Sequence, residues 1–146
     1  MAEKLEQGPH MALTHVALFN PHMAVIDRED HSRYHLFTPD DFALNGNPHD
    51  HREWGFWTTI KHGGYIEEVF DLSGKSEIIT RKAGDTFRVE AHHIHRLISI
   101  IGNECLTHVA PDFNTGNGPA HIYKWENGIA YSRPVNGGEW EVYNAS

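Results

Sequence analysis

Turn signals break this chain at nearly regular intervals, and they constrain its fold more than any other feature. Gly63-Gly64, Ser73-Gly74, Gly84-Asp85, Gly102-Asn103, Asn127-Gly128 and Gly137-Gly138 separate short apolar or alternating runs. The runs lie at 14–19, 34–37, 54–60, 65–71, 76–81, 86–89, 95–101, 105–110, 120–125, 129–132 and 140–143. None sustains the 3.6-residue apolar period of an amphipathic helix. Strands at this spacing, punctuated this way, predict an all-β sandwich or barrel. One short helical turn is expected over 39–42, where Asp40 and Asp41 supply capping carboxylates. No linker, internal repeat or low-complexity tract divides the sequence. Residues 12–146 therefore read as one domain, and 1–11 as a flexible leader or an expression scar.

The totals narrow the class of protein. A length of 146 residues, 39% of them hydrophobic, suits a single globular core and leaves no run long enough for a spanning helix. The N-terminus lacks a basic-then-apolar signal pattern, so a cytoplasmic protein is expected. The one cysteine, Cys105, excludes a disulfide framework and any CxxC zinc or redox motif. A net charge of −8 argues against nucleic acid and against anionic membranes as partners.

Thirteen histidines are many for this length, and two groups of them have metal-like spacing. His49 and His51 stand two apart, just before the aromatic run that holds Trp54, Phe56 and Trp57. In a strand, side chains two apart point to one face, so both imidazoles enter one space. A neutral imidazole offers a ring lone pair near neutral pH, which makes it the commonest protein metal ligand. The competing reading is a polar turn, favoured by Pro48 and Asp50. The second group is His92, His93 and His95, of which His95 opens the run 95–101, apolar on both faces as a core strand should be. His92 and His93 compete with His95 as a ligand and otherwise belong to a loop at the site mouth. His62 is expected in an exposed hairpin turn, and His108 on the face opposite Thr107.

With these residues in view, the sequence resembles the cupin superfamily. The first cupin motif is matched by Gly46, His49, His51 and Gly63, and the second by Gly84-Asp85 and His95. The resemblance covers about 46–113 and implies a double-stranded β-helix, or jelly roll, with one metal ion inside. His49-Asp50-His51, Gly64-Tyr65-Ile66-Glu67 and His95-Arg96-Leu97 resemble the thiol dioxygenases within it. Trp54, Phe56, Trp57 and Gly63-Gly64-Tyr65 more closely resemble a group of small cupins with H-D-H and G-G-Y-x-E motifs. Cupins of this size commonly dimerise, and the run 14–19 reads as an edge strand able to pair between subunits.

Departures from the pattern refine the expectation. The usual cupin glutamate would fall at Gly55 or Phe56, neither of which can ligate, and Glu53 sits too early. That favours a three-histidine site of His49, His51 and His95. Glu67 shares its parity with Tyr65 and is expected either near the ion, as a supporting partner or fourth ligand, or as an exposed strand residue. Positions that carry a serine–histidine–tyrosine relay in thiol dioxygenases read Cys105, Thr107 and Val109, which implies no efficient thiol oxidation. Tyr65, Arg81, Arg96 and Thr107 are candidate substrate contacts, the arginines because a guanidinium binds a carboxylate bidentately; Arg88 belongs to the same set. Three imidazoles with open positions suit Fe2+ and also Ni2+, Co2+ or Zn2+. The leading reading is a non-haem Fe(II) dioxygenase acting on a small organic acid. The alternatives are a sugar isomerase or epimerase with histidine as base, and a non-catalytic small-ligand-binding cupin.

Overall fold

The computed structural model describes residues 15–17, 20–27, 29–38, 47–52, 54–112, 118–135 and 137–143. The expected helical turn at 39–42, the leader, Gly46 and Glu53 lie outside these residues. The described elements are all β: β1 (His15–Ala17), β2 (Asn20–Asp27), β3 (Arg33–Phe37), β4 (Gly55–Phe70), β5 (Ser76–Lys82), β6 (Thr86–Val89), β7 (Ile94–Asp112), β8 (His121–Glu126), β9 (Ile129–Pro134) and β10 (Glu141–Val142). Among them no helix is long and apolar enough to cross a membrane.

The two longest strands organise the rest. β4 and β7 pair antiparallel from Gly55↔Asp112 to Phe70↔Ile94, with register shifts around Ile60, His62 and Gly64. The first half of β4 also pairs with β6, and the second half with β5. The C-terminal half of β7 carries β3, which carries β2 and then β1. At the other end, His49 forms single antiparallel bridges to His95 and to Ile122. Those bridges join β7 to the three-stranded sheet β8–β9–β10.

β4 and β7 thus serve two halves, and the core shows that the halves face each other. Val25 of β2, Phe37 of β3, Ile60 and Tyr65 of β4 and Cys105 of β7 form one buried cluster. Leu97 and Ile100, from the N-terminal half of β7, pack against the same cluster. The all-β architecture agrees with the turn spacing, and its form is the jelly roll that the resemblance implied.

Three sequence expectations need correction. The hairpin expected at Gly63-Gly64 and the turn at Gly102-Asn103 are bends inside continuous strands, so His62 is an exposed strand residue. The bends keep the β4–β7 ladder because glycine absorbs them: Gly63 has φ 72° and Gly102 has φ 89°. A Cβ on Gly63 would also fall against the Glu104 carbonyl oxygen. Second, no strand was expected over 20–27, where β2 pairs Val25 with His35. Third, the run 95–101 is not apolar-covered on both faces, since Ile98 and Ile101 are about 40% exposed, at 41% and 40%.

Candidate metal centre

The H-D-H segment is held by backbone bonds on both sides. His49 N donates to the His95 carbonyl at 2.8 Å, and His95 N returns the bond at 2.9 Å. Asp50 N donates to the His121 carbonyl, Tyr123 N to the Pro48 carbonyl, and His51 N to the Ala91 carbonyl. The segment is therefore a short strand inserted between β7 and β8, and alternation separates its side chains.

Asp50 points away from the two histidines and is fully buried. Its carboxylate accepts from the Tyr123 hydroxyl at 2.6 Å, from Arg52 Nε at 2.8 Å and from the backbone N of His121 at 2.9 Å. A buried carboxylate needs such donors to offset its lost hydration. Burial first, then the bond to Asp50, pushes the Tyr123 phenol well above the ordinary tyrosine range. This network pins the middle of the motif to β8 and leaves the flanking imidazoles aimed the other way. Sequence reasoning gave Asp50 no role beyond the competing turn reading; the signal it missed was the alternation of His121 to Trp125, which turns Tyr123 toward the same spot.

On the other side, three imidazoles converge. The ring centroids of His49 and His51 are 4.9 Å apart, those of His49 and His95 4.9 Å, and those of His51 and His95 5.1 Å. All three residues are buried, and one ring nitrogen from each lies within 4.8 Å of the others. Burial is the main cause lowering all three pKa values, and neighbouring histidines add to it. Neutral imidazole is the form that binds metal.

Glu67 settles the tautomer of His95. Its side chain is 1% exposed, and Oε1 lies 2.7 Å from His95 Nδ1. Arg81 Nε donates to Oε2 at 2.7 Å, and His93 Nε2 lies 3.3 Å from Oε1. Burial alone would raise the Glu67 pKa, but the bonds from His93, His95 and Arg81 outweigh it and hold the carboxyl well below its usual range. An ionised carboxylate only accepts, so Nδ1 of His95 carries the proton and Nε2 presents a lone pair. That Nε2 lies 3.0 Å from Nε2 of His51. Two nitrogens bound at right angles to one ion at about 2.1 Å would lie about 3.0 Å apart. The donor set therefore fits a divalent ion held by His49, His51 and His95. A second grouping, Glu67, His93 and His95, shares one member with the first.

The other sequence candidates divide. Arg81 reaches Glu67 and stacks over Phe87 at 3.7 Å. Tyr65 is buried between the rings of Phe37 and Phe87. Thr107 is buried on β7, paired with His35 and Ile60. His93 stands beside Glu67, while His92 is exposed in the preceding turn. Arg96 is not in this group: alternation puts it opposite His95, where it binds Glu68 at 2.8 Å. Arg88 likewise pairs with Glu90 and Asp112. His108 leans edge-on against Tyr34. Glu53 lies outside the described residues.

No family model matches the sequence, and no curated relative does. Solved structures do resemble the fold. The polyketide cyclase RemF from Streptomyces resistomycificus aligns over 84% of this chain and 87% of its own, with TM-score 0.55 and 15% identity. CENP-C of Drosophila melanogaster, solved bound to CAL1, aligns over 76% and 95%, with TM-score 0.53 and 11% identity. Peruvianin-I, described as a cysteine peptidase from Thevetia peruviana latex, aligns over 84% and 79%, with TM-score 0.53 and 9% identity. At such identities the likeness speaks for the fold alone, and that fold is the cupin jelly roll.

Proposed function

We propose that this chain is a metal-dependent cupin enzyme in which His49, His51 and His95 hold one divalent ion, and that it turns over a small organic acid with dioxygen. The observation that carries the reading is the meeting of three buried, neutral imidazoles, a group that among the described residues includes no carboxylate. Three neutral ligands leave the ion's charge uncompensated, which favours an anionic co-ligand. Fe2+ is the proposed metal; Ni2+, Co2+ and Zn2+ accept the same donors. When bound, a ferrous ion supplies the redox chemistry that oxygen-dependent turnover needs.

The chain's own residues do the rest. Glu67 fixes the His95 ring and keeps its proton on Nδ1. Arg81, bonded to Glu67 and 21% exposed, offsets the Glu67 charge, so that an anionic acid meets no net repulsion from that carboxylate. Phe56 lies edge-on against His51 with ring centroids 4.8 Å apart and helps exclude water. We further propose a homodimer that uses β1, which ends the sheet order.

Elemental analysis of protein made without metal supplementation, followed by oxygen uptake with a panel of small acids, tests the reading. One equivalent of iron and acid-dependent uptake are expected, with no efficient uptake on cysteine. Protein that takes up no divalent metal overturns the reading. Stoichiometric zinc with no uptake overturns its oxidative part and leaves non-redox chemistry, such as the cyclisation for which RemF is named.

A further inference from the structure

The interior face beside the three histidines carries a row of polar side chains that metal binding does not use. On β3, Phe37 marks the interior face by packing with Ile60, Tyr65 and Cys105. Tyr34 and Leu36 mark the opposite face, where they pack with Ile26 and Leu106. His35 lies two residues from Phe37 and so shares the interior face. Its strand partner on β7 is Thr107, 1% exposed and on the face of Cys105 and Val109. Thr107 stands opposite Ile60 of β4, and Thr58, 3% exposed, lies two residues before Ile60 on that same face. Side chains directly opposite on one face of a strand pair have Cβ atoms about 4.5–5.5 Å apart, and diagonal neighbours stand about 7–8 Å apart. The row His35, Thr107, Thr58 is therefore continuous across β3, β7 and β4.

The row adjoins the metal centre. Phe56, two residues before Thr58, touches the His51 ring. A charge on His35 would also reach His51. The walls around the row are apolar: Val109 packs with Phe56 and Val89, and Ile60 with Phe37. Yet the hydroxyls of Thr58 and Thr107 make no hydrogen bond to any described residue. Buried hydroxyls nearly always have partners, and one without a partner among the described residues, on the face that leads to the three histidines, points to a ligand or water. A valine would fill either strand position equally well if packing were the only requirement.

We propose that Thr58, Thr107 and His35 form a polar subsite for a hydroxyl or carbonyl oxygen on the distal end of the acid held at the three histidines. This rests on the metal reading above and adds a substrate class to it: small hydroxy acids with a second oxygen function a few bonds from the carboxylate. An acid with an apolar tail leaves both threonine hydroxyls unpaired and is bound less well.

Two probes that differ only by hydroxyl against methyl test it, 2,4-dihydroxybutyrate and 2-hydroxypentanoate. Calorimetric titration into the zinc-loaded full chain should show the dihydroxy acid binding about tenfold tighter, a ratio set by one satisfied buried hydrogen bond. Thr107→Val and His35→Leu should abolish that preference. With no acid present, Thr58→Val and Thr107→Val should each raise the unfolding midpoint, by about 2–4 °C, because an unpaired buried hydroxyl has been removed. Midpoints that fall instead show that the hydroxyls have protein partners and overturn the subsite. Equal binding of the two acids, or binding of neither by protein that does hold zinc, overturns the ligand class. Failure to take up zinc counts against the three-histidine reading, and the unfolding midpoints still decide the subsite.

Discussion

Nδ1 of His95 stands 2.7 Å from Oε1 of Glu67, and this contact determines which of the two His95 nitrogens faces His49 and His51. The carboxylate is ionised because Arg81 and the histidine donors outweigh its burial. Partners of this kind orient a ligating imidazole and raise its basicity, and their loss commonly weakens metal binding about 10–100-fold. Glu67→Gln keeps the size and an accepting oxygen but loses the charge that holds Arg81. Its zinc affinity, measured by competition with a chromophoric chelator, should fall within that range while the fold persists. Unchanged affinity in a folded variant would mean that Glu67 does not position His95.

The ligand assignment has a direct comparison. His51→Ala and His95→Ala each leave two imidazoles and should lose most of the bound metal, whereas His62→Ala alters an exposed residue on β4 and should lose none. Metal content of the three variants, purified identically, decides it. If only His95→Ala keeps the parent stoichiometry, then Glu67 or His93 supplies the third ligand. If all three keep it, the centre lies elsewhere.

The Asp50 network makes a prediction on stability. Tyr123→Phe removes a 2.6 Å bond to a buried carboxylate and a 2.7 Å bond from Arg52. Hydrogen bonds to charged groups contribute about 1.5–3 kcal/mol, so the midpoint should drop by several degrees, roughly 3–10 °C. The native Tyr123 pKa is raised above its unfolded value of 10.0. Its contribution is therefore fully present below pH 10 and is lost as pH rises through the folded value. Parent and Tyr123→Phe stabilities should converge above pH 10; a gap that stays constant into stronger alkali would contradict the assignment.

Much of this was readable from residues because the relevant rules are local. Period-two alternation put His49 and His51 on one face and Tyr65 with Glu67, and turn residues placed most strand boundaries. What escaped was set by pairing between distant segments. Nothing near Asp50 announces Tyr123, since 73 positions separate them and the pairing of His49 with Ile122 brings them together. The pairing of His35 with Thr107 escaped for a similar reason, since it joins β3 to β7 across 72 positions. Arg96 was a candidate on chemistry alone, although its neighbour His95 already fixed it to the opposite face. The Gly63-Gly64 and Gly102-Asn103 signals were real, but a glycine marks a bend and does not say whether the ladder continues through it.

That last point yields a test of the fold itself. Gly63 combines φ 72° with a position where a Cβ would meet the Glu104 carbonyl oxygen, Ile101 O at 3.1 Å and Cys105 Cα at 3.2 Å. All three are in β7, so relief would require the two longest strands to separate at their shared bend. Gly102 has a similar φ of 89° but nothing within 4 Å of its Cβ position. Gly102→Ala should therefore show only the backbone penalty of about 1–2 kcal/mol for a left-handed alanine. Gly63→Ala adds the clash and belongs in the class of severe substitutions, above about 4 kcal/mol. Urea unfolding of the two variants against the parent measures the difference. Equal, mild losses at both positions would show that β4 and β7 do not approach as closely as described, and with that the diagonal placement of Glu67 beside His95, whose strand partner is Val69, would lose its support.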